Sequence, residues 1–212
     1  MLAALDPRTW WFVARASGLV AWALLALAVV WGLALSTKTF GRNPKPAWLL
    51  DLHRHLGGLA VVFTGVHLAG LFADTYVVFG WRELFIPFAS TWKPGAVAWG
   101  IVAFYALIAV EITSLLQRHL PRTWWRRVHF LSFPLFVFAT AHLVTAGTDS
   151  GVPLAQWTAV VTCTIVAFLV LVRLVARREP TRARPLRSGP EKERELAGRV
   201  TALRAALPAD EG

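Results

Sequence analysis

Hydrophobic residues are gathered into five long runs, and short polar or charged stretches separate one run from the next. The runs cover residues 11–35, 48–72, 95–117, 124–146 and 153–175, each to within a few residues. Each is close to the roughly 20 apolar residues that a helix needs to cross the hydrocarbon core of a bilayer. The pattern therefore predicts an all-α fold, an integral membrane bundle of five transmembrane helices.

Composition supports a membrane protein. Hydrophobic residues make up 56% of the chain and charged residues only 16%, whereas a soluble domain carries about 25% charged residues. Most of the eleven tryptophans lie near the ends of the runs, as is typical of side chains at the membrane–water interface. Trp22 and Trp31 fall inside the first run, and we expect them to pack within the bundle.

The positive charge is concentrated in particular connections, which predicts the orientation in the membrane. Lysines and arginines in the first and third connections are Lys38, Arg42, Lys45, Arg118, Arg122, Arg126 and Arg127. The fourth connection has none, so the positive-inside rule places connections one and three and the basic C-terminal tail in the cytoplasm. We expect a multi-pass plasma-membrane protein with its N-terminus outside. The charge is then expected to face anionic lipid rather than nucleic acid.

Three segments outside the apolar interior need separate assignment. The first run is longer than a signal-peptide core and Asp6 precedes it, so we expect it to be retained as a span. Residues 73–94 are aromatic but interrupted by charges, and they predict an interfacial helix on the outer face. We divide the chain into a transmembrane domain, 1–176, and a basic cytoplasmic tail, 177–212. The tail is expected to be partly disordered, with a short amphipathic helix indicated by the spacing of Leu196, Val200, Leu203 and Leu207.

Four histidines lie in two of the apolar runs. His53 and His67 are in the second, and His129 and His142 are in the fourth. Ionisable side chains inside a membrane span are costly, so each is a functional candidate. Both runs cross from inside to outside, and either pair spans roughly 20 Å at about 1.5 Å per residue. One histidine of each run then lies near each membrane face, although four unrelated buried histidines remain an alternative.

This arrangement predicts two stacked haems, each iron taking one imidazole from each helix. His53 and His129 would ligate the inner haem iron, and His67 and His142 the outer haem iron. The chain has no Cys-x-x-Cys-His motif, its one cysteine is Cys163, and its one methionine is the first residue. These counts exclude covalent attachment, a cysteine-ligated iron–sulfur cluster and mid-chain His/Met ligation, so any haem here would be non-covalent with bis-histidine ligation. We expect the remaining histidines, at positions 55 and 119, to be structural or solvated.

The two histidine intervals are unequal. Fourteen residues on an ideal helix return to within about 40° of the same face, which suits His53 and His67. The thirteen-residue interval leaves His142 about 140° from His129. Either Pro134 kinks the helix between them, or the two haems are rotated about the bundle axis. The sequence leaves both open.

Haem propionates are anionic, and three arginines are placed to bind them. We assign Arg54 and Arg126 to the inner haem and Arg15 to the outer haem; the alternative for each is an arginine that reaches the lipid headgroups. Glu111 in the third run is expected to pair with one of these arginines, or else to move protons.

Two adjacent glycines follow His53 in the second run. Gly57 and Gly58 serve either ordinary helix packing or room for a flat macrocycle. The residues alone favour neither function.

These features resemble the ferric reductase-like transmembrane domain, which NADPH oxidases and the haem subunit of the periplasmic methionine sulfoxide reductase system share. The resemblance extends over residues 11–175 and is carried by the two histidine intervals, the segments WRRVHFLS and AHLVTAGTD, and the RASG start of the first run. It implies two b-type haems that relay electrons from a cytosolic flavin to an acceptor across the membrane. The chain would be the haem-containing subunit of an oxidoreductase.

The chain departs from that family in two respects. Many members have six spans and a cytosolic flavin- and nicotinamide-binding module, whereas here five runs are followed by about 35 residues without a glycine-rich fingerprint. We therefore expect a separate cytosolic flavoprotein donor. The acceptor on the outer face would be a small molecule or a reductase, such as a periplasmic methionine sulfoxide reductase. A haem-binding membrane protein without electron throughput is the remaining alternative.

Overall fold

The computed structural model describes residues 8–37, 47–75, 77, 79–147, 153–178 and 190–205, and these residues form helices and turns without a strand. Five helices are long and apolar enough to cross a membrane: Thr9–Ser36, Ala47–Ala73, Pro94–Leu115, Arg122–Ala146 and Gln156–Val175. The predicted all-α bundle of five spans is confirmed, with most boundaries within two or three residues of the apolar runs.

Eight helical segments make up the described chain. They are α1 (Thr9–Ser36), α2 (Ala47–Ala73), α3 (Trp81–Phe85), α4 (Pro94–Leu115), α5 (Arg122–His129), α6 (Ser132–Ala146), α7 (Pro153–Arg178) and α8 (Pro190–Ala205). Residues 1–174 form one compact unit and residues 175–212 a second. The predictions for Lys38, Arg42, Lys45, Leu207 and residues 179–189 lie outside the described residues.

Small residues allow α1 and α2 to pack closely as antiparallel neighbours. A Cβ atom added to Gly70 of α2 would lie 2.9 Å from the backbone nitrogen of Ala14 in α1. Such close backbone approach is typical of membrane helices, where van der Waals packing drives association. A second pair, α4 and α6, is joined to the first by Trp22, whose Nε1–H donates to Thr140 Oγ1 at 3.0 Å. Trp22 is thus a packing residue, as predicted.

The interior between these helices is apolar. Its buried residues come from five helices and are Leu25, Ala26, Val29, Leu33, Ala60, Ala103, Leu107, Leu135, Phe136 and Val166. Many large hydrophobic side chains point outwards instead, for example Val62 and Phe168. That distribution suits a protein whose surroundings are lipid, because apolar side chains then lose nothing by exposure.

The fourth span is interrupted directly after His129. Helix α5 ends there and α6 begins at Ser132, and the link contains tight i→i−3 bonds, from Leu131 N–H to Val128 O at 2.9 Å and from Phe133 N–H to Phe130 O at 3.2 Å. Pro134 lies in the first turn of α6, where its missing N–H costs no helical bond. Because the helix is broken between His129 and His142, the angle between them is not that of a continuous helix. The thirteen-residue interval therefore does not prevent each of them from pairing with a histidine of α2.

The second connection contains the short helix α3, within the residues 73–94 for which a helix was predicted; its interfacial position on the outer face stays a prediction. The Glu83 carboxylate accepts a hydrogen bond from the backbone N–H of Gly80 at 2.9 Å and closes the start of this helix. Lys93 adopts a left-handed conformation (φ 41°) just before α4. Its ammonium donates to the backbone oxygen of Thr145 at 3.1 Å, which ties the start of α4 to the end of α6.

The tail helix α8 covers most of the segment where helical spacing was recognised. Val200 and Leu203 are exposed on it.

Candidate functional site

The four histidines of the spans meet in two pairs. The ring centroids of His53 and His129 are 6.1 Å apart, with their planes at 73°. Those of His67 and His142 are 6.3 Å apart, with their planes at 76°. Helix α2 contributes one histidine to each pair, α5 contributes His129, and α6 contributes His142. Fourteen residues of α2 separate the two sites, which is about 21 Å at 1.5 Å per residue.

We call His53 and His129 the inner pair and His67 and His142 the outer pair, after the orientation predicted from sequence. Backbone carbonyls orient both histidines of the outer pair. His67 Nδ1 lies 2.6 Å from the carbonyl oxygen of Ala14, and His142 Nδ1 lies 2.8 Å from that of Ala96. A carbonyl oxygen can only accept, so Nδ1 carries the proton in both rings. Each Nε2 then keeps a lone pair, which is the state in which a neutral imidazole binds a metal.

Glycines on neighbouring helices make room for these rings. A Cβ atom on Gly18 would lie 2.9 Å from His67 Nδ1, and one on Gly100 would lie 2.7 Å from His142 Nδ1. Gly32 faces His53, where a Cβ would lie 3.1 Å from Cε1. Distances this short are closer than ordinary carbon contacts of about 3.5–4.0 Å. The rings therefore lie directly on the backbone of α1 or α4.

The inner pair is less completely bonded. The His53 ring interacts with the backbone of Ala28, four residues before Gly32, but without a well-formed hydrogen bond. His129 instead stacks on Trp125, with ring centroids 5.2 Å apart and planes at 27°. Within the described part of the chain, four buried polar atoms have no hydrogen-bond partner: His53 Nδ1, His129 Nδ1, Trp125 Nε1 and Ser114 Oγ.

The outer pair opens on a cavity of about 310 Å³, within the roughly 300–1,000 Å³ range of cofactor sites. His67 and His142 line it together with apolar side chains of α1, α2, α4 and α6. Two charged residues, Arg15 and Glu83, also line the cavity. Arg15 lies over the ring of Trp11 at 5.0 Å from its centroid.

The ring spacing can be compared with that of a metal held between two imidazoles. A ring nitrogen lies about 1.1 Å from its centroid, and a metal–imidazole bond is about 2.0–2.1 Å, as for zinc. Two rings on opposite sides of one metal ion therefore have centroids about 6.2–6.4 Å apart, close to both observed values. No group of three or more His, Cys, Asp or Glu side chains suited to a metal ion occurs among the described residues. Two imidazoles at this spacing, with a cavity beside the outer pair, fit an iron whose other ligands come from a macrocycle.

The arginines assigned from sequence occupy different environments. Arg15 lines the outer cavity, whereas Arg54 pairs with Asp51 at 3.4 Å, with both side chains about half exposed. Arg126 is exposed on α5. A fourth arginine, Arg173 of α7, was not recognised from the sequence; it lies 5.6 Å from the ring centroid of Phe130 and interacts electrostatically with His129.

The prediction that Glu111 forms an ion pair with an arginine is wrong: none of the described arginines pairs with its carboxylate. Its carboxylate instead lies against Gly57, in the space that a Cβ atom would occupy. Gly57 is therefore a packing position between α2 and α4, while Gly58 has nothing within 4 Å. His55 and His119 are exposed, as expected, and His55 Nδ1 contacts the Asp51 carbonyl at 2.7 Å.

Sequence reasoning missed the glycines that face the histidines, although the sequence carries a signal for two of them. Gly18 and Gly32 are fourteen residues apart, as are His53 and His67. In antiparallel neighbouring helices, equal intervals place each glycine opposite one histidine: Gly18 faces His67, and Gly32 faces His53. Gly100 has no such counterpart, because the break after His129 destroys the equal interval in the second helix pair.

Comparison with known proteins identifies the family. Residues 17–140, more than half of the chain, match the family described as "Ferric reductase like transmembrane component". The matched range includes Gly18, Gly32 and three of the four paired histidines, and it ends two residues before His142. No curated protein and no solved structure matches the chain. The chain belongs to the ferric reductase-like transmembrane family, and it is accordingly a multi-pass membrane component of electron transfer.

Proposed function

We propose that this chain is a transmembrane b-type cytochrome with one non-covalent haem b at each histidine pair. The observation that carries the proposal is the ring spacing, 6.1 Å at the inner pair and 6.3 Å at the outer pair. Both values suit an iron between two imidazoles. The chain also belongs to a family of membrane electron-transfer components. In this assignment His53 and His129 ligate the inner iron, and His67 and His142 ligate the outer iron.

When bound, haem supplies the one-electron chemistry, because its iron alternates between the ferric and ferrous states. The protein holds the two sites about 21 Å apart along α2 and excludes water between them. Ala60, halfway between His53 and His67, is only 1% exposed and belongs to the apolar interior. Two fixed sites on opposite sides of a dry core suit relay of electrons across a membrane better than storage of one cofactor.

Arginines at both sites suit the propionate carboxylates of haem. Arg15 lines the outer cavity and is assigned to the outer haem. Arg54 and Arg126 are assigned to the inner haem, and Arg173 joins them because it interacts with His129. A guanidinium forms charge-assisted hydrogen bonds with a carboxylate, which are stronger than neutral ones.

We place the chain in the plasma membrane with the N-terminus outside and the C-terminus in the cytoplasm, on the basis of the positive-inside rule. Electrons would enter at the inner site from a cytosolic flavoprotein and leave from the outer site. The acceptor would be a small molecule or a reductase on the outer face, such as a periplasmic methionine sulfoxide reductase. Ferric reductase-like domains usually work with redox partners, and arginines at the inner ends of α2 and α5 would attract an acidic donor surface.

The test is electron transfer through purified protein in sealed liposomes, with flavoprotein and NADPH on the cytoplasmic side and an impermeant acceptor on the other. We expect a Soret band, two haems b per chain by pyridine haemochrome, and acceptor reduction only when the flavoprotein is present. Added salt should slow the reaction by screening the charges. Protein without a Soret band would refute the proposal. Two haems that no donor can reduce would point to a haem carrier instead.

A further inference from the structure

Three of the four paired histidines share one mode of support from a helix that carries no ligand. His67 lies on Gly18 and faces the carbonyl of Ala14; His142 lies on Gly100 and faces the carbonyl of Ala96. His53 lies on Gly32 and interacts with the backbone of Ala28. In each case the backbone group belongs to the residue four positions before the glycine.

This regularity follows from helix geometry. Four residues are about one turn, so the glycine and the residue before it by one turn lie on the same helix face. The bare glycine lets the ring approach the helix, and the approach brings Nδ1 to the carbonyl one turn away. A side chain at the glycine would hold the ring off, because ring atoms already lie 2.7–3.0 Å from the position of a Cβ at Gly100.

His129 is the exception. Among the described residues no glycine faces it and its Nδ1 has no partner; it stacks on Trp125 of its own helix. Both outer ligands therefore have carbonyl hydrogen bonds of 2.6 Å and 2.8 Å, while neither inner ligand has a well-formed one. The two sites are chemically unequal although their ring spacings are alike.

We propose that Gly18 and Gly100 are positioning residues that hold the outer histidines against backbone carbonyls, and that this support gives the outer iron a lower reduction potential than the inner iron. The inference rests on the proposed function, since it requires haem at both pairs. A carbonyl that accepts from Nδ1–H increases the basicity of the ligand. A stronger donor favours ferric iron over ferrous iron, which lowers the potential. Arginines occur near both sites, and the order of potentials is argued from the carbonyl hydrogen bonds of the two outer rings.

The experiment is a spectroscopic redox titration of the full-length protein in lipid nanodiscs. The variants are Gly18→Ala and Gly100→Ala, and the matched controls are Gly65→Ala and Gly95→Ala, whose added Cβ would meet nothing within 4 Å. The native protein should titrate in two steps, and His129→Ala should retain the lower-potential step. Each positioning variant should raise the lower potential and leave the upper one unchanged. A tenfold change in the reduction equilibrium equals about 59 mV for one electron.

A second measurement keeps the proposal testable if a positioning variant releases the outer haem. Loss of outer-site affinity by about 10–100-fold is the usual effect of removing support behind a ligand, and that loss, absent in the controls, would support the positioning role. Nitrogen-15 NMR of histidine-labelled native protein then tests the Nδ1–H hydrogen bonds directly. Strongly hydrogen-bonded Nδ1–H signals are expected for His67 and His142 but not for His129.

The two proposals fail in different ways. Protein that binds no haem refutes the proposed function. Protein that binds two haems, but whose lower potential is the same in Gly18→Ala and Gly100→Ala as in the controls, refutes only the positioning role. Equal native potentials, or a lower-potential step that is lost in His129→Ala and kept in His67→Ala, would overturn the proposed order of the potentials.

Discussion

Gly70 offers the most direct test of how α1 and α2 pack. It is buried, and a Cβ there would lie 2.9 Å from Ala14 N and 3.0 Å from Ala14 Cα. Since carbon contacts are ordinarily about 3.5–4.0 Å, Gly70→Ala must separate the two backbones by roughly 0.5–1 Å at this level. Backbone atoms cannot rotate away as a flexible side chain could. Overpacking of this kind costs about 1–3 kcal/mol.

The helices of a membrane protein remain helical when they separate, because lipid offers no alternative partner for the backbone. The higher helix propensity of alanine therefore does not stabilise the packed state over the separated helices, and the overpacking cost alone changes the free energy of unfolding. For a chain of this size, 1 kcal/mol corresponds to about 2–4 °C in the midpoint of thermal unfolding. We expect Gly70→Ala to lower the midpoint by several degrees.

Cys163 provides the assay. It is the one cysteine of the chain and packs against the apolar core, so heating exposes a single thiol to a fluorogenic maleimide. The matched control is Gly65→Ala on the same helix, where the added Cβ meets nothing within 4 Å. The control midpoint should remain within about 1 °C of the native value. Equal midpoints for Gly70→Ala and Gly65→Ala would refute the close backbone contact between α1 and α2.

Three further predictions concern the sites and the topology. Substituting His67 or His142 by alanine should remove the outer haem alone, so pyridine haemochrome counts should fall from two per chain to one; two haems in both variants would exclude the ligand assignment. Ring planes at 73° and 76° predict strongly anisotropic low-spin ferric signals in electron paramagnetic resonance. Weakly anisotropic signals would indicate nearly parallel planes and contradict this geometry. A protease site inserted between α6 and α7 should be cut from outside intact cells, while a C-terminal one should not; the reverse pattern would invert the orientation.

The five spans could be predicted from sequence because one quantity, the length of an apolar run, determines whether a helix can cross a bilayer. The histidine pairing could also be predicted, since residues at matched depths on two neighbouring spans of the same direction must face one another at similar levels. The same reasoning failed for Glu111. It assumed that an intramembrane carboxylate needs a cation, whereas in the structure a glycine of α2 leaves room for the carboxylate.

The break after His129 could not be derived from the run of apolar residues. Hydrophobic residues lie on both sides of the break, with Ser132 the one polar residue between Phe130 and Phe136, and Pro134 shows only that some irregularity is near. Two i→i−3 bonds mark the break, and no residue of the local sequence specifies them. Local sequence therefore located the irregularity to within a few residues but left its form open.

The glycine positions show why the two histidine-bearing helices alone do not define the sites. A histidine on a membrane helix can rotate about its side-chain bonds, and a metal needs Nε2 directed at it. That direction is set from α1 and α4, which carry no ligand: a missing side chain admits the ring, and a carbonyl one turn away fixes the tautomer. Where the antiparallel register keeps equal intervals, Gly18 and Gly32 face His67 and His53, and His67 also meets the carbonyl of Ala14. Where the span breaks, only His142 faces a glycine among the described residues. The continuity of a histidine-bearing span thus decides how many of its histidines can face a glycine of the neighbouring helix.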